Sequence, residues 1–153
     1  MASLDKQIVV IGSSRSTKEE EKLAYEVGRE IAKAGYILVC GGKEGVMEAA
    51  CKGAKEMSGT TVGIIPDEIP EGGNKYLDVV IPTGIGYARN YIVQNSGIAI
   101  ILIGGNYGSL SELAYALQFK KKVIALNSNW SKIDKKIIIA KDAKDAVKRA
   151  IDK

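Results

Sequence analysis

Ile98-Ala99-Ile100-Ile101-Leu102-Ile103, followed by Gly104-Gly105-Asn106-Tyr107-Gly108-Ser109 and then Leu110-Ser111-Glu112-Leu113-Ala114, decides the fold. An apolar, β-branched run of this length reads as a strand buried on both faces, the kind found in parallel sheets. Paired glycines let the chain turn sharply and let a ligand approach the backbone. Ser109 is the expected cap of the helix that follows, whose first N–H groups would point at an anion. Glu112 lies one turn into that helix, so a carboxylate stands beside a candidate phosphate cradle.

Working outward, the same device recurs. The strand Tyr36-Ile37-Leu38-Val39-Cys40 runs into Gly41-Gly42-Lys43-Glu44-Gly45, and a helix over 46–57 is expected after it. The first strand, Gln7-Ile8-Val9-Val10-Ile11, ends at Gly12-Ser13-Ser14. The helix over 17–34 opens with Thr17 and, three residues on, Glu20, the pattern of a capping box. Further strands are expected over 61–66, 78–82 and 122–126, with helices over 87–96, 109–119 and 142–152. Residues 67–75, with Pro70 and Gly72-Gly73, read as a candidate mobile lid. Strands alternating with helices predict a Rossmann-like three-layer α/β sandwich, its sheet mainly parallel. All three polar or glycine-rich turns follow strands, so they should share the carboxyl edge where such folds bind ligands.

Composition sets the bounds. A chain of 153 residues is expected to form one domain spanning 1–153. No run of about 18 apolar residues exists and the first residues have no leader-like apolar region, so a cytoplasmic location is expected. The two cysteines, Cys40 and Cys51, are too few and wrongly spaced for a thiolate zinc site and read as small buried hydrophobes. No metal ligand set is expected. The formal charge of +4 comes largely from lysines in the last third. No basic stripe with interleaved aromatics accompanies them, so nucleic acid is not an expected partner. The chain has no histidine, which removes the Ser-His-Asp triad, the HExxH zinc motif and the usual neutral-pH base.

Neither glycine junction is the GxGxxG dinucleotide fingerprint, and the GxxxxGK[ST] phosphate loop is absent. What the junctions do resemble is the LOG superfamily, long labelled lysine decarboxylase-like. Gly41-Gly42-Lys43-Glu44-Gly45-Val46-Met47-Glu48-Ala49-Ala50 is similar to its GGxxGxM(x)xA element. Gly104-Gly105-Asn106-Tyr107-Gly108-Ser109-Leu110-Ser111-Glu112 is similar to its PGGxGTxxE element, and Arg89-Asn90 occupies the place of its arginine-lysine pair. The resemblance spans about residues 7 to 150.

Active members of that superfamily hydrolyse the N-glycosidic bond of a nucleoside 5′-monophosphate to free base and ribose 5-phosphate. The resemblance therefore implies catalytic roles for Arg89 and Glu112. It implies ligand or phosphate contacts for Gly12, Ser13, Ser14, Gly41, Gly42, Gly45, Gly104, Gly105, Gly108 and Ser109. Such chemistry is physically sensible, because a carboxylate stabilises the oxocarbenium character that builds on the sugar. No cofactor is required, though a nucleoside monophosphate or phosphate is a possible bound ligand. A small phosphorylated molecule is the expected partner, a membrane is not, and a homodimer or larger assembly is implied. Three departures stand out: Ile103 replaces the proline, Ser109 the threonine, and Asn90 the lysine. The loss of that lysine keeps a second reading open, a non-catalytic nucleotide or molybdenum-cofactor carrier, whose pterin ligand also bears a phosphate. Genuine lysine decarboxylation, which normally uses pyridoxal phosphate, is not expected.

Overall fold

The computed structural model describes residues 5–153; the opening residues, read above as lacking a leader, lie outside them. Seven strands form one sheet in the order β4-β3-β2-β1-β5-β6-β7, and every pairing is parallel. The strands are β1 (Gln7–Gly12), β2 (Ile37–Cys40), β3 (Thr61–Ile65), β4 (Val79–Pro82), β5 (Ala99–Ile103), β6 (Lys122–Leu126) and β7 (Ile138–Ile139). The helices are α1 (Lys18–Lys33), α2 (Val46–Glu56), α3 (Arg89–Gln94), α4 (Tyr107–Gln118) and α5 (Ala143–Ile151). The chain winds from β1 outward to β4, then returns to pair β5 with β1 and winds the other way. The β1–β5 boundary is therefore the switch point, where a crevice opens beyond the strand ends.

Period-two alternation divides each central strand between two cores. Ile8 and Val10 of β1, with Ala99, Ile101 and Ile103 of β5, pack under α1, α2 and α5. Val9, Ile11, Ile100 and Leu102 pack under α3 and α4 with Val93, Leu113 and Ala116. Burying each such large aliphatic side chain contributes roughly 1.5–3 kcal/mol, which is why the strand run that opens the sequence reading sits at the centre of the sheet.

The α1 capping box forms as expected: the Glu20 N–H donates to Thr17 Oγ1 at 3.1 Å, and the Thr17 N–H donates to Glu20 Oε2 at 3.1 Å. Two features differ from the sequence expectation. The helix after β5 starts at Tyr107, two residues early, because Asn106 rather than Ser109 is its N-cap. The two-residue strand β7, unforeseen, extends the sheet beyond β6.

Candidate functional site

The turns after β1, β2 and β5 all emerge at one sheet edge, around the switch point. Arg89, the first residue of α3, reaches under them. It is 5% exposed, and its Nη2 donates to the Gly41 carbonyl at 3.2 Å. A Cβ on Gly41 would fall 2.8 Å from that same Nη2, so the glycine is what lets the guanidinium in. Burial lowers the Arg89 pKa from its usual value, and nearby Glu112 opposes the shift.

Glu112, 6% exposed, faces this guanidinium from α4. Burial pushes its carboxyl up to about 8, against the pull of Arg89, so the side chain is largely protonated at neutral pH. Its Oε2 is buried and makes no hydrogen bond. Among the described residues no ion pair joins Arg89 to a carboxylate. Three more buried polar atoms lie unpartnered on α3: Arg89 Nε, Asn90 Oδ1 and Gln94 Oε1. The Asn90 amide nitrogen donates to the Gly108 carbonyl at 3.4 Å and to Ser111 Oγ at 3.1 Å.

The turn after β5 is built for close approach. Gly104 and Gly105 adopt φ of 59° and 129°, values that only glycine takes readily. A Cβ on Gly105 would meet Ser109 Oγ at 2.7 Å and the Trp130 ring at 2.8 Å; the Trp130 indole N–H is buried and unpartnered. The Ser109 hydroxyl accepts the Asn106 N–H at 2.8 Å and donates to the Asn106 carbonyl at 2.8 Å. Asn106 Oδ1 takes the Tyr107 N–H at 2.9 Å, and the Asn106 side chain also accepts the Ser109 backbone N–H, the reciprocal half of a capping box. The α4 terminus thus satisfies much of its own donor set. Among the described residues the amides of Gly105 and Gly108 have no protein acceptor.

The remaining sequence candidates sit around this centre in supporting positions. Gly12 is wedged against Val46, whose Cγ1 would lie 2.5 Å from an added Cβ. The Ser13 carbonyl accepts the Val46 N–H at 3.1 Å, and Ser13 Oγ accepts the Arg15 N–H at 3.0 Å. Gly45, at φ 67°, leaves no room for a Cβ beside the Ser13 and Ser14 carbonyls, 2.4 and 2.6 Å away. Gly42 is closed over by Ile65. Segment 67–75 is latched rather than free: Lys43 Nζ donates to Asp67 Oδ1 at 3.0 Å and to the Gly72 carbonyl at 2.6 Å, and Asn74 donates to the Lys43 and Gly42 carbonyls. Cys40 and Cys51 are buried as expected, with their sulfurs 3.5 Å apart.

Glu48 lines a separate cleft of about 500 Å³ between α1 and α2, away from Arg89 and Glu112. Tyr87 and Tyr107 are exposed, while Tyr91 stacks edge-on with Tyr115 and Phe119. Sequence reasoning missed Gln94, and it gave Glu20 a capping role alone. Glu20 also overhangs the second turn, its carboxylate 2.5 Å from where a Cβ on Gly104 would stand. A charge four residues ahead of the buried Ala24 was the available signal.

The parallel sheet, the switch-point crevice and the glycine turns backed by a buried arginine define a Rossmann-like α/β protein of the LOG type. The chain belongs to the SLOG cluster4 family, whose profile matches residues 5–152. A cytokinin riboside 5′-monophosphate phosphoribohydrolase of Mycobacterium tuberculosis is 32% identical over 134 residues, 82% of this chain and 72% of the relative. Among solved structures, a molybdenum cofactor binding protein from Rippkaea orientalis superposes with a TM-score of 0.84 at 33% identity, covering 93% of this chain and 91% of that one. The molybdenum cofactor carrier protein of Chlamydomonas reinhardtii superposes with a TM-score of 0.81 at 34% identity, covering 93% of each. Among the described residues no helix is long and apolar enough to cross a membrane.

Proposed function

We propose that this protein binds and carries a phosphorylated small molecule, of the molybdenum-cofactor class, without hydrolysing it. One observation carries the proposal: the position next to Arg89 holds Asn90, whose amide is tied to Gly108 and Ser111, so the site has a single buried cation. Glu112 points the same way. A carboxyl pushed up to about 8 is mostly neutral at pH 7 and is a poor stabiliser of an oxocarbenium ion. Neutral, it is a hydrogen-bond donor as well as an acceptor.

In this reading the Gly105 and Gly108 amides and Arg89 hold the phosphate, with Gly104 and Ser109 framing the turn and Gly41 making room for the guanidinium. Gly12, Ser13, Ser14, Gly42 and Gly45 fix the neighbouring loops. Asn90 Oδ1, Gln94 Oε1 and Glu112 Oε2 are buried and unpartnered, polar groups whose hydrogen bonds a bound ligand would complete. The molybdenum cofactor binding protein and the carrier protein that align over more than nine-tenths of their length support this choice of cargo.

Purified protein would be denatured and the released ligand identified by mass spectrometry. In parallel, a panel of nucleoside 5′-monophosphates would be assayed for free base. A phosphorylated pterin with no base release is the expected result. Base release that disappears in Glu112→Gln would overturn the proposal and establish a phosphoribohydrolase. That second reading is favoured by the Arg89–Glu112 juxtaposition and by the mycobacterial relative.

An exposed aromatic face on α3 and α4 supports self-association. Tyr91 meets Tyr115 and Phe119 with ring centroids 5.2 and 5.7 Å apart, and Ile92 is exposed beside them. Clustered exposed aromatics are candidate contact surfaces. Phe119→Asp is expected to halve the mass read by light scattering; an unchanged mass would place the contact elsewhere.

A further inference from the structure

Cys40 and Cys51 are the chain's only cysteines, and the fold brings them into contact. Cys40 closes β2 and Cys51 lies midway along α2, with the sulfurs 3.5 Å apart and both residues 0% exposed. Thiols inside a core are ordinarily inert, and two features set this pair apart. The first is polarity. The hydrogen bond from the Cys51 thiol lowers the Cys40 pKa from its usual value; burial opposes it, and the Gly42 N–H and the Arg89 guanidinium add to it. That N–H lies 3.3 Å from Cys40 Sγ. The shared bond, with burial, pushes Cys51 up. One sulfur is thus the better nucleophile and the other its hydrogen-bond donor. The second feature is access. Asn74, in segment 67–75, lies against the Cys51 thiol. The segment is held by few bonds: Asn74 to the Gly42 and Lys43 carbonyls, and Lys43 to Asp67 and Gly72. Segments tied this way open locally at a fraction of the free energy of global unfolding, and each opening uncovers Cys51.

We propose that Cys40 and Cys51 form a dithiol–disulfide couple that responds to hydroperoxides and reshapes the first glycine turn. The Cys40 thiolate attacks one oxygen of the peroxide and breaks the O–O bond. It becomes a sulfenic acid, while the other oxygen leaves, protonated, as water or an alcohol. The Cys51 sulfur then displaces hydroxide from the Cys40 sulfur, and the hydroxide leaves with the Cys51 proton as water. Each sulfur gives up one electron, and the peroxide takes up both. Closure requires the sulfurs to approach by about 1.5 Å, to the S–S bond length. That draws Cys40 Sγ from the Gly42 N–H and shifts the strand end at Gly41, whose carbonyl holds Arg89 at 3.2 Å. Oxidation in the core thus reaches the site through one peptide unit, a last step that rests on the phosphate reading above.

The full chain, reduced and then treated with excess hydrogen peroxide, is quenched in acid, unfolded and alkylated. The expected product is a monomer lighter by two hydrogen atoms with no thiol left to alkylate; with only two cysteines, that mass identifies the bond. Free thiols, sulfinic acids or cross-linked dimers in its place overturn the proposal. Amide exchange across 41–45 is expected to quicken about tenfold on oxidation and to recover on reduction; unchanged exchange overturns the coupling to the turn. Calorimetric titration with inorganic phosphate is expected to show about tenfold weaker binding by the oxidised form. Equal affinity overturns the link to Arg89. No heat from the reduced protein overturns the phosphate reading instead, and mass and exchange then decide the couple. Cys51→Ala is expected to keep its phosphate affinity in peroxide; a loss as large as in wild type assigns the effect to another residue, such as Met47, and overturns the proposal. Should that variant melt early, reversal in wild type decides: dithiothreitol restores a disulfide, whereas methionine sulfoxide needs its own reductase.

Discussion

The chain uses the pattern GGxxG twice at equivalent places, after β2 and after β5, and the two copies have opposite fates. In the first, neighbouring groups fill the space around two of the glycines. Gly42 is covered by Ile65, Gly45 by the Ser13 and Ser14 carbonyls, and Lys43 is bonded to Asp67 and Gly72; the first amide of α2 is taken by the Ser13 carbonyl. The second copy stays open. Gly108 has nothing within 4 Å of an added Cβ, and orphaned polar atoms on Glu112 and Trp130 lie around it. A glycine turn after a strand therefore specifies a backbone path. Whether the path becomes a binding site depends on what the neighbouring loops do with its free N–H groups.

The sharpest way to break this contrast is to add one methyl group to each copy. Gly45 combines φ 67° with ψ −126° and has a carbonyl oxygen 2.4 Å from any Cβ. Gly45→Ala is expected to lower stability by about 4 kcal/mol in chemical denaturation, summing backbone strain and the clash. Gly108→Ala should lose less than about 0.5 kcal/mol and affect ligand affinity instead. Equal losses would show that the second turn is as closed as the first.

The next largest effect is pH-dependent. Glu112 has a folded-state pKa of about 8, above the ordinary carboxylate value. The unfolded chain therefore binds fewer protons between the two values, so stability falls as pH rises through that window and levels off above it. Glu112→Gln removes this penalty. The variant is expected to be more stable than wild type by several kcal/mol at pH 9 and indistinguishable from it near pH 4. Parallel stability–pH curves would mean that Glu112 is ionised and satisfied in the fold.

Much of this architecture was legible because its causes are local. The run 98–103 could be nothing but an interior strand, and Thr17 with Glu20 announced a capping box that forms as expected. The start of α4 was misread because Asn106 and Ser109 are both good caps three residues apart; the structure uses both, in reciprocal roles. β7 escaped notice because two residues at a sheet edge carry no periodic signal. Segment 67–75 read as a lid since nothing local reveals that Lys43, 24 residues earlier, bonds to Asp67. The inward placement of Glu20 and the desolvation of Glu112 depend on which helix faces meet at the switch point, and that information is tertiary.

Asn90→Lys sharpens the contrast by adding a second cation beside the open turn. One added charge at a partly shielded site is expected to tighten phosphate monoester binding about tenfold, with no free base released from nucleoside monophosphates. Release of base would show that the site is one residue away from a hydrolase, and the carrier reading would then describe a lost activity.

The smallest effect expected is at the closed turn, and it tests whether that turn is closed for structure alone. Lys43 and Asp67 are 23% and 33% exposed in their side chains, and pairs of this kind contribute about 0.5–1 kcal/mol. Lys43→Ala should therefore cost about that much stability and speed amide exchange across residues 67–75, because the Gly72 carbonyl and Asp67 lose their shared donor. Ligand affinity at the second turn should not change, since Arg89 reaches Gly41 through its carbonyl and not through Lys43. A tenfold loss of monoester affinity in this variant would mean that the latch holds the first turn in a shape the ligand also needs. The two GGxxG turns would then be halves of one site, with the closure of the first serving the openness of the second.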